Sequence, residues 1–513
     1  MTALWVLSLL LIGAGPEPAP DDKLPPSIEK IFEEKGADGK PILGDSERAY
    51  LKKLPPHTRD LIAKDVDALT VGGAKHLKAL LSLEMSSQAA AIVFSDNCVL
   101  CHTDPESQKP GLLFSPDPKA THSAEKLNLK NFLSDVHFRR GLSCSGCHGG
   151  SPDKDVMTPD ISARWPKPEV REVDRTWIPE FCGRCHSDPN FMRNFNPSLP
   201  TDQLAKYRQS QHGILLLEHK DSKAAQCISC HGVHGIRGPK SPQSTVYPQA
   251  VPETCGRCHA DPKYMAGYTT PDGTPLPTNQ LEGFKKSVHG QALLEKGDLG
   301  APACNSCHGN HAAMPPAVSS VSQVCRTCHA LPGTFFDGSK HKKAFEVHRW
   351  PECEKCHGKH EIEKPTDELI SAAPDGLCGA CHTVNARDNH ECNETAQYFR
   401  NTLSQLVDDA HNFRPEAEYL ATRGINTDPI LASEDELNEA IVQTRARVHT
   451  FDRGGFDVGA KAGREAVAKT EDQLKAAQAE RRFRRNGLLV SIGLMAMLAT
   501  AMMFRIRELS KRR

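Results

Sequence analysis

The chain has 513 residues, with 63 Lys and Arg against 64 Asp and Glu and a formal net charge of −1. This balance gives no support to nucleic-acid binding, which usually shows as a basic surplus. Aromatic residues make up 6 % of the chain and its mean hydropathy is −0.48, so the composition argues against one large all-protein core and the length favours more than one structural unit.

The first residues predict export from the cytoplasm. Residues 4–14 form a short apolar run that ends in small residues and precedes Pro and Asp, as in a secretory signal peptide, although no Lys or Arg comes before it. A buried N-terminal helix is the alternative. We expect a signal peptide over residues 1–15 and a partly helical N-terminal extension over residues 16–90, with the helix at 61–91.

Nine segments between positions 98 and 382 read Cys-x-x-Cys-His, and they use 18 of the 19 cysteines. This is the attachment signature of c-type haem: two thiols form thioethers with one haem and the adjacent His is the proximal iron ligand. Zinc ribbons and thioredoxin-like pairs share Cys-x-x-Cys but do not require that His. The sequence therefore predicts nine covalent haems, held by Cys98, Cys101, His102; Cys144, Cys147, His148; Cys182, Cys185, His186; Cys227, Cys230, His231; Cys255, Cys258, His259; Cys304, Cys307, His308; Cys325, Cys328, His329; Cys353, Cys356, His357; and Cys378, Cys381, His382.

The motifs form a tandem array in which a lone site at Cys98 precedes four repeats. Each repeat has a helix ending in His, then CxxCHGxH, then a Pro-rich loop and a second CxxCH. The extra histidines recur at fixed offsets, which favours distal haem ligation over a surface or hydrogen-bonding role. The distal candidates are His137, His212, His234, His289, His311, His360 and one of His341 or His348, of which His348 is taken; His76, His122 and His390 are further candidates to complete nine.

The first repeat departs from the pattern because Ser151 stands where the extra His is expected. Either another residue replaces that ligand, or one haem has an open sixth position that could bind a substrate. Cys392 is the cysteine left outside the motifs. A structural or incidental thiol is the simplest interpretation; an unusual haem ligand and an intermolecular disulfide are the alternatives.

With these motifs, residues 91–392 resemble the multihaem cytochromes c with doubled CxxCH motifs. The resemblance implies haems packed in parallel and perpendicular pairs that act as an electron wire. Related scaffolds include pentahaem nitrite reductases and octahaem hydroxylamine oxidoreductases, which also carry helices after the last haem. All nine motifs end in His, so the Cys-x-x-Cys-Lys site of the nitrite reductases is absent, which argues against that activity.

After Cys392 the spacing predicts a helical domain or stalk over residues 393–486. Ser433 and Glu436 fit a capping box at the start of a second helix, Gly454 and Gly455 predict a break, and residues 463–485 predict a charged helix. The first helix is indicated by apolar residues at helical spacing, namely Phe399, Leu403, Leu406, Ala410 and Phe413.

Residues 487–504 carry no charge and, as a helix, would span about 27 Å, enough to cross a bilayer core. Basic clusters flank them on both sides, so charge bias alone does not orient the span. Export of the N-terminus would place the haem domain on the periplasmic side of the cytoplasmic membrane and residues 505–513 in the cytoplasm. We therefore expect a mainly α, loop-rich, haem-packed domain with one transmembrane helix.

Three functions fit these features. The first is electron transfer outside the cytoplasm, between a membrane quinol dehydrogenase or another cytochrome and a redox partner protein. The second is a multihaem reductase or dehydrogenase of a small nitrogen or sulfur compound at one open haem. The third is a subunit of a larger respiratory complex, in which the membrane helix contacts partner helices.

Overall fold

The computed structural model describes residues 23–68, 129–148, 176–270, 273–314, 321–374, 376–382 and 389–511, with single positions between 74 and 93. The predicted mainly helical fold is confirmed: the described residues form helices and loops with no strand, and pair only in isolated bridges such as Lys35–Pro41. The predicted signal peptide, the Cys98 haem motif, His76, His122 and Ser151 lie outside the described residues.

The chain forms two compact units. The first contains Met1–Cys255 and Gly309–Met314, and the second contains Gly256–His308 and Pro315–Arg513. The N-terminal extension belongs to the first unit, where its helices are α1 (Pro26–Ile31), α2 (Asp45–Lys53) and α3 (Pro56–Ala68).

The N-terminal extension has a hydrophobic core of its own residues and of residues beside His137. Ile28, Leu51 and Ile62 are fully buried, and Phe132 and Phe138 belong to the same cluster. Burial of each such side chain stabilises by about 1.5–3 kcal/mol. The extension is therefore packed against the segment that carries a predicted haem ligand.

Short helices carry the haem motifs because Cys, Cys and His at positions i, i+3 and i+4 share one face of a helical turn. Eight motifs lie within the described residues, and seven of them lie on or directly against such helices. These seven begin at Cys144, Cys182, Cys227, Cys255, Cys304, Cys325 and Cys353. The helices up to the boundary of the first unit are α4 (Leu129–Leu133), α5 (Cys144–His148), α6 (Trp177–His186), α7 (Pro189–Arg193), α8 (Gln203–Gln209), α9 (Gln211–Leu217), α10 (Cys227–His231) and α11 (Val251–His259).

The second unit continues the same pattern of short helices. They are α12 (Pro262–Met265), α13 (Gln280–Lys286), α14 (Val288–Gly290), α15 (Cys304–His308), α16 (Val321–Cys328), α17 (Ala330–Asp337), α18 (Lys340–His348) and α19 (Glu352–His357). A π-helical turn, Gln291–Glu295, continues α14 without a break. Helix α16 packs against both α17 and α19.

A half-buried ion network joins α16, α18 and α19. Glu352 accepts hydrogen bonds from Arg326, at 2.6 Å, and from Lys342, and Arg326 also pairs with Asp337 at 2.8 Å. Burial would raise the pKa of Glu352, but the hydrogen bonds from Lys342 and Arg326 lower it overall. The carboxylate therefore stabilises the fold in its charged form.

Replacing Glu352 with Ala should destabilise the second unit by about 3 kcal/mol, because Arg326 keeps a largely buried charge without its best partner. Folding lowers the pKa of the Glu352 carboxyl. Its contribution to the free energy of unfolding is therefore complete above about pH 4.3, the pKa of Glu in the unfolded chain, and is lost as pH falls through the lower pKa of the folded state. Urea melts of wild type and the variant should therefore converge at acid pH. An equal gap at pH 7 and in acid would contradict this role.

Three long helices follow the haem motifs: α20 (Asn389–Ala421), α21 (Asp428–Arg447) and α22 (Arg453–Lys511). All three pack together. The five apolar residues at helical spacing in α20 are buried as predicted, and Leu437 and Ile441 of α21 meet Ala466 of α22 in the same core. We call these helices the C-terminal bundle.

Two boundaries in the bundle differ from the sequence predictions. Helix α21 begins at Asp428, with Pro429 in its first turn, where the fixed backbone of proline suits a helix start. Ser433 is thus no cap: it lies inside the helix and donates to the Pro429 carbonyl at 2.9 Å. Gly454 and Gly455 open α22 instead of breaking it, since the turn between the helices falls at 448–452.

Helix α22 runs without interruption from the C-terminal bundle into the uncharged segment. It has 59 residues, and its most apolar window, of mean hydropathy 2.1, is 0 % buried within the chain. The helix is long and apolar enough to cross a membrane. Just before the apolar segment, Arg484 donates to the Gly424 carbonyl at 2.9 Å, which ties α22 to the end of α20.

Candidate functional site

Histidines from different parts of the chain meet in pairs. Seven CxxCH histidines each face a second histidine that lies outside the motifs. The pairs and their ring-centroid distances are His137–His186 at 5.8 Å, His148–His234 at 6.1 Å, His231–His311 at 6.2 Å, His289–His329 at 6.2 Å, His308–His360 at 6.0 Å, His341–His382 at 6.0 Å and His357–His449 at 6.1 Å.

These separations fit an iron between two imidazoles. A bond from a first-row metal to an imidazole nitrogen is about 2.0 Å and the ring centre lies roughly 1 Å beyond, so two axial rings have centres roughly 6 Å apart. A hydrogen bond between two imidazoles would bring the ring centres to roughly 5 Å. Direct aromatic contacts range over about 4.5–7 Å, so the recurrence of nearly the same separation in all seven pairs is what points to a common group between the rings. Within the described residues no group of three or more His, Cys, Asp and Glu side chains could hold one metal ion. The residues therefore fit haem with two axial histidines.

The pairs interlock the repeats. His137, His289 and His341 precede the two motifs of their own repeat, and each faces the second of these motifs. The extra histidine after CxxCHG instead faces the first motif of the preceding repeat, so that His234 serves His148 and His311 serves His231. The second, third and fourth repeats thus each place a histidine opposite a motif histidine of the repeat before.

A capping residue two positions before the histidine fixes the first kind of ligand. Ser210 and Ser287 cap the helices that carry His212 and His289, and their hydroxyls accept from the backbone N–H of the following glycines at 2.9 and 3.0 Å. Both hydroxyls also donate 2.6 Å hydrogen bonds to carbonyls three residues earlier. In this position the histidine lies in the first helical turn.

The same register distinguishes His341 from His348. Ser339 precedes His341 by two residues and donates to the carbonyl three residues before it at 2.7 Å, as Ser210 and Ser287 do. His341 is half-buried and faces His382, whereas His348 is exposed and stacks on Trp350 at 4.6 Å. Of the two alternatives left open by the sequence, the structure brings His341 and not the chosen His348 opposite a haem-motif histidine.

Backbone hydrogen bonds join the two kinds of ligand segment. In each case the backbone N–H of the residue before the histidine that precedes the motifs donates to the carbonyl of the residue two positions after the histidine that follows CxxCHG. The three bonds run from Val136 to Ile236 at 2.8 Å, from Gln211 to Ala313 at 2.9 Å and from Val288 to Ile362 at 2.8 Å. These bonds bring the segment of His137 next to that of His234, and the segment of His289 next to that of His360, in the folded protein. Ligands of two different sites are therefore positioned together.

His449 is a pair member that sequence reasoning missed. It lies on a short turn, Val448–Thr450, between α21 and α22, far from any motif. Its Nδ1 bonds to the Ala446 carbonyl at 3.0 Å, as the Nδ1 of His137 bonds to Asp135 at 2.9 Å. The sequence offers seven recurring distal candidates for nine proximal histidines. This difference indicated that further ligands remained to be found, but it did not say where they lie.

The other candidates lie as follows. His212 is half-buried on α9, at the place in its repeat that His289 holds in the next, and His259 ends α11. His390 is 87 % exposed and lies 3.7 Å from Glu394, a poor position for a haem ligand. Cys392 is half-buried and forms a side-chain hydrogen bond with Cys378.

Burial favours the neutral form of several of the paired imidazoles. Loss of hydration lowers the pKa of His186, His231 and His357, and lowers that of His360 to about 4, with the neighbouring His308 adding to the effect. A histidine must be neutral to offer its lone pair to a metal. These side chains are in the metal-binding form at neutral pH.

Thiols of successive motifs are also in contact. Cys182 forms a side-chain hydrogen bond with Cys227, and Cys325 forms one with Cys353. These two contacts fall within the first and the second unit respectively. Haems attached through such neighbouring sulfurs would have their edges close together.

Replacing Gly213 or Gly290 with Ala should displace the adjacent ligand helix. A Cβ at either position would lie 1.9 Å from a backbone carbonyl oxygen, of Tyr207 or Phe284, and backbone cannot move aside as a flexible side chain can. We expect a loss of about 3 kcal/mol or more in urea unfolding, in the range of severe packing and backbone defects. Gly238→Ala, where nothing lies within 4 Å of the added Cβ, is the matched control and should change stability little.

Comparison with known protein families matches residues 219–264 to the doubled CXXCH motif. This segment contains the motifs that begin at Cys227 and Cys255. No curated protein and no solved structure matches the chain. The doubled motif is that of c-type cytochromes, in which it binds haem covalently, and it points to a function in electron transfer.

Proposed function

We propose that the protein is a membrane-anchored electron-transfer cytochrome that carries nine c-type haems outside the cytoplasm. The single observation that carries the proposal is the set of seven histidine pairs, each joining a CxxCH histidine to one from elsewhere at an iron-compatible distance. His212 holds in the second repeat the place of His289 in the third, and we assign it the same role.

The chain's own residues would keep each iron six-coordinate. A bound haem would supply a centre that takes up and releases one electron. Two histidine ligands in both oxidation states require little rearrangement, which suits rapid electron transfer. Asp135 holds the Nδ1 atom of His137, which would orient the opposite nitrogen towards the metal.

The interlocked repeats favour electron transfer between neighbouring haems within each unit. The second, third and fourth repeats each supply a ligand to the repeat before them, and backbone bonds such as Val288 to Ile362 hold ligands of different sites side by side. The contacts between Cys182 and Cys227 and between Cys325 and Cys353 bring successive attachment points together. Closely spaced haems of this kind pass electrons from one to the next.

We propose that α22 anchors the protein in the cytoplasmic membrane, with the haems on the periplasmic side. Support comes from the apolar window of α22 and from the N-terminal run that resembles a signal peptide. Covalent haem attachment takes place outside the cytoplasm. A quinol dehydrogenase or another cytochrome in the same membrane is then the natural electron donor, and a redox protein the acceptor.

The alternative of a substrate-reducing enzyme loses its original support. Ser151 suggested an open haem in the first repeat, but His148 and His186 of that repeat face His234 and His137. By the interlocked order, the histidine missing at Ser151 would have served the preceding site at Cys98. An enzymatic role therefore rests on that one haem.

Haem counting and EPR spectroscopy test the proposed function. Pyridine haemochrome analysis of purified full-length protein should give nine haems per chain, one for each motif. The oxidised protein should show mainly low-spin iron, and dithionite-reduced protein should be reoxidised by an electron-acceptor cytochrome. Absence of covalent haem, or mostly high-spin iron, would overturn the proposal.

A further inference from the structure

The histidine opposite His357 lies in the C-terminal bundle, on the turn between α21 and α22. We propose that His449 is the distal axial ligand of the haem attached at Cys353 and Cys356, so that an iron–histidine bond ties the bundle to the haem domain. This inference rests on the proposed function and goes beyond it, because no sequence motif assigns a ligand to the turn between α21 and α22.

The first argument is geometric. The rings of His449 and His357 are 6.1 Å apart, within the range of the other six pairs, and inclined by 31°. His449 is half-buried and its Nδ1 donates to the Ala446 carbonyl at 3.0 Å. A ligating histidine commonly donates its other nitrogen to a carbonyl or carboxylate in this way, which leaves Nε2 for the iron.

The second argument is the order of the repeats. His234, His311 and His360 each serve the first motif of the repeat before them. The fourth repeat has no fifth repeat after it, so the motif ending in His357 needs a ligand from elsewhere. His449 lies opposite His357 and would supply the ligand that the extra histidine of a following repeat supplies elsewhere.

The third argument is the position of His449 next to His341, which parallels the neighbouring histidines of the repeats through a ring contact instead of a backbone hydrogen bond. In the repeats, the residue two positions after the extra histidine lies beside the segment of the next ligand, as Ile362 lies beside Val288. Two positions after His449, the ring of Phe451 lies 4.0 Å from that of His341. His449 and His341 therefore form the fourth pair of neighbouring ligands.

The surrounding contacts hold this turn against the haem-binding part of the second unit. The Arg447 guanidinium lies 4.9 Å from the ring centre of Phe335 on α17, and Phe451 packs edge-on against Phe336. Arg445 of α21 forms a paired hydrogen bond with Asp367 at 2.8 and 3.0 Å. The ligand is thus positioned by several contacts and does not depend on a free loop.

The proposal gives the C-terminal bundle a role beyond that of a spacer. Its turn would complete a haem site, and α22 starts three residues after that turn before it reaches the apolar segment. The haem at Cys353 would then be the one bonded directly to the membrane-directed part of the chain.

The test compares His449→Gly with His411→Gly in the full-length protein. His411 is an exposed histidine on α20 of the same bundle, and it controls for removal of a histidine and for insertion of glycine. His449→Gly should keep the wild-type haem count, because the thioether cysteines are intact. It should convert one low-spin haem to high spin by EPR and bind one more carbon monoxide per chain when reduced. Added imidazole should restore the low-spin signal.

A second variant keeps the test decisive if glycine prevents folding. His449→Met retains a sixth ligand and should raise the midpoint potential of one haem, as methionine ligation does, with the low-spin count unchanged. His411→Gly should match wild type in every readout. Wild-type spectra and potentials in both His449 variants would overturn the inference alone, whereas wild-type protein without covalent haem would overturn the proposed function.

Discussion

Replacing Asp135 with Ala should unfold the first unit more easily and disturb the haem site of His137 and His186. The Asp135 side chain is almost fully buried and accepts three hydrogen bonds. They come from the His137 backbone N–H at 2.8 Å, the His137 Nδ1 at 2.9 Å and the Ile236 N–H at 2.7 Å. Asp135 thereby fixes His137 and the segment that carries His234, which belong to two different histidine pairs.

The size of the stability loss in Asp135→Ala follows from the number of hydrogen-bond donors that the variant leaves without a partner. Each buried unsatisfied donor costs about 1–3 kcal/mol, so Asp135→Ala should lower the free energy of unfolding by about 3 kcal/mol or more. Asp135→Asn keeps one acceptor oxygen but turns its amide towards the other donors, and it should fall between wild type and the alanine variant. Loss of the carboxylate also makes His137 a weaker electron donor to its metal, so the midpoint potential of one haem should rise.

Asp188 provides the matched control. It is exposed and caps α7 by accepting from the N–H groups of Asn190 and Phe191 at 2.8 and 3.1 Å. Asp188→Ala should cost about 1 kcal/mol, the usual value for an N-cap, and leave the potentials unchanged. Urea unfolding followed by the Soret band, together with potentiometric titration, separates the two. Equal losses in Asp135→Ala and Asp188→Ala, with no redox shift, would argue against the shared-carboxylate role.

The local chemistry of this protein was accessible from the sequence. The helical fold class followed from composition and motif spacing, and the apolar spacing around Leu403 marked the buried face of α20. The recurring histidines identified most of the residues that the structure pairs with motif histidines. Each of these inferences depends on residues within a few turns of one another.

The sequence did not show which motif histidine each of the other histidines faces. Which motif a histidine faces depends on long-range packing, as in His231 with His311, and no local pattern encodes it. His449 lacks the repeat context altogether. The choice between His341 and His348 was different: the serine two positions before His341 repeats the register of Ser210 and Ser287, and this signal was present in the sequence.

The interlocked order makes a sharp prediction about exchangeable ligands. The extra histidine of each repeat serves the preceding first motif, and in the first repeat this position is Ser151, so the affected site is the lone one at Cys98. If the seven histidine pairs, and His212 with His259, each hold an iron as proposed, those eight irons have both axial positions filled and should resist carbon monoxide. Titration of reduced protein should therefore bind at most one carbon monoxide per chain.

Removing the lone haem tests where that single ligand binds. The double variant Cys98→Ala and Cys101→Ala should lose one haem by pyridine haemochrome analysis and should lose all carbon monoxide binding, while the remaining haems keep their low-spin EPR signals. The corresponding double variant at Cys304 and Cys307 also removes one haem, but from a paired site, and should leave carbon monoxide binding intact at Cys98. If carbon monoxide instead persists in the first variant, an iron within the repeats is open, and the assignment of Ser151 to the preceding haem is wrong. If wild type binds none, every iron is capped and the protein acts as an electron carrier without a substrate site.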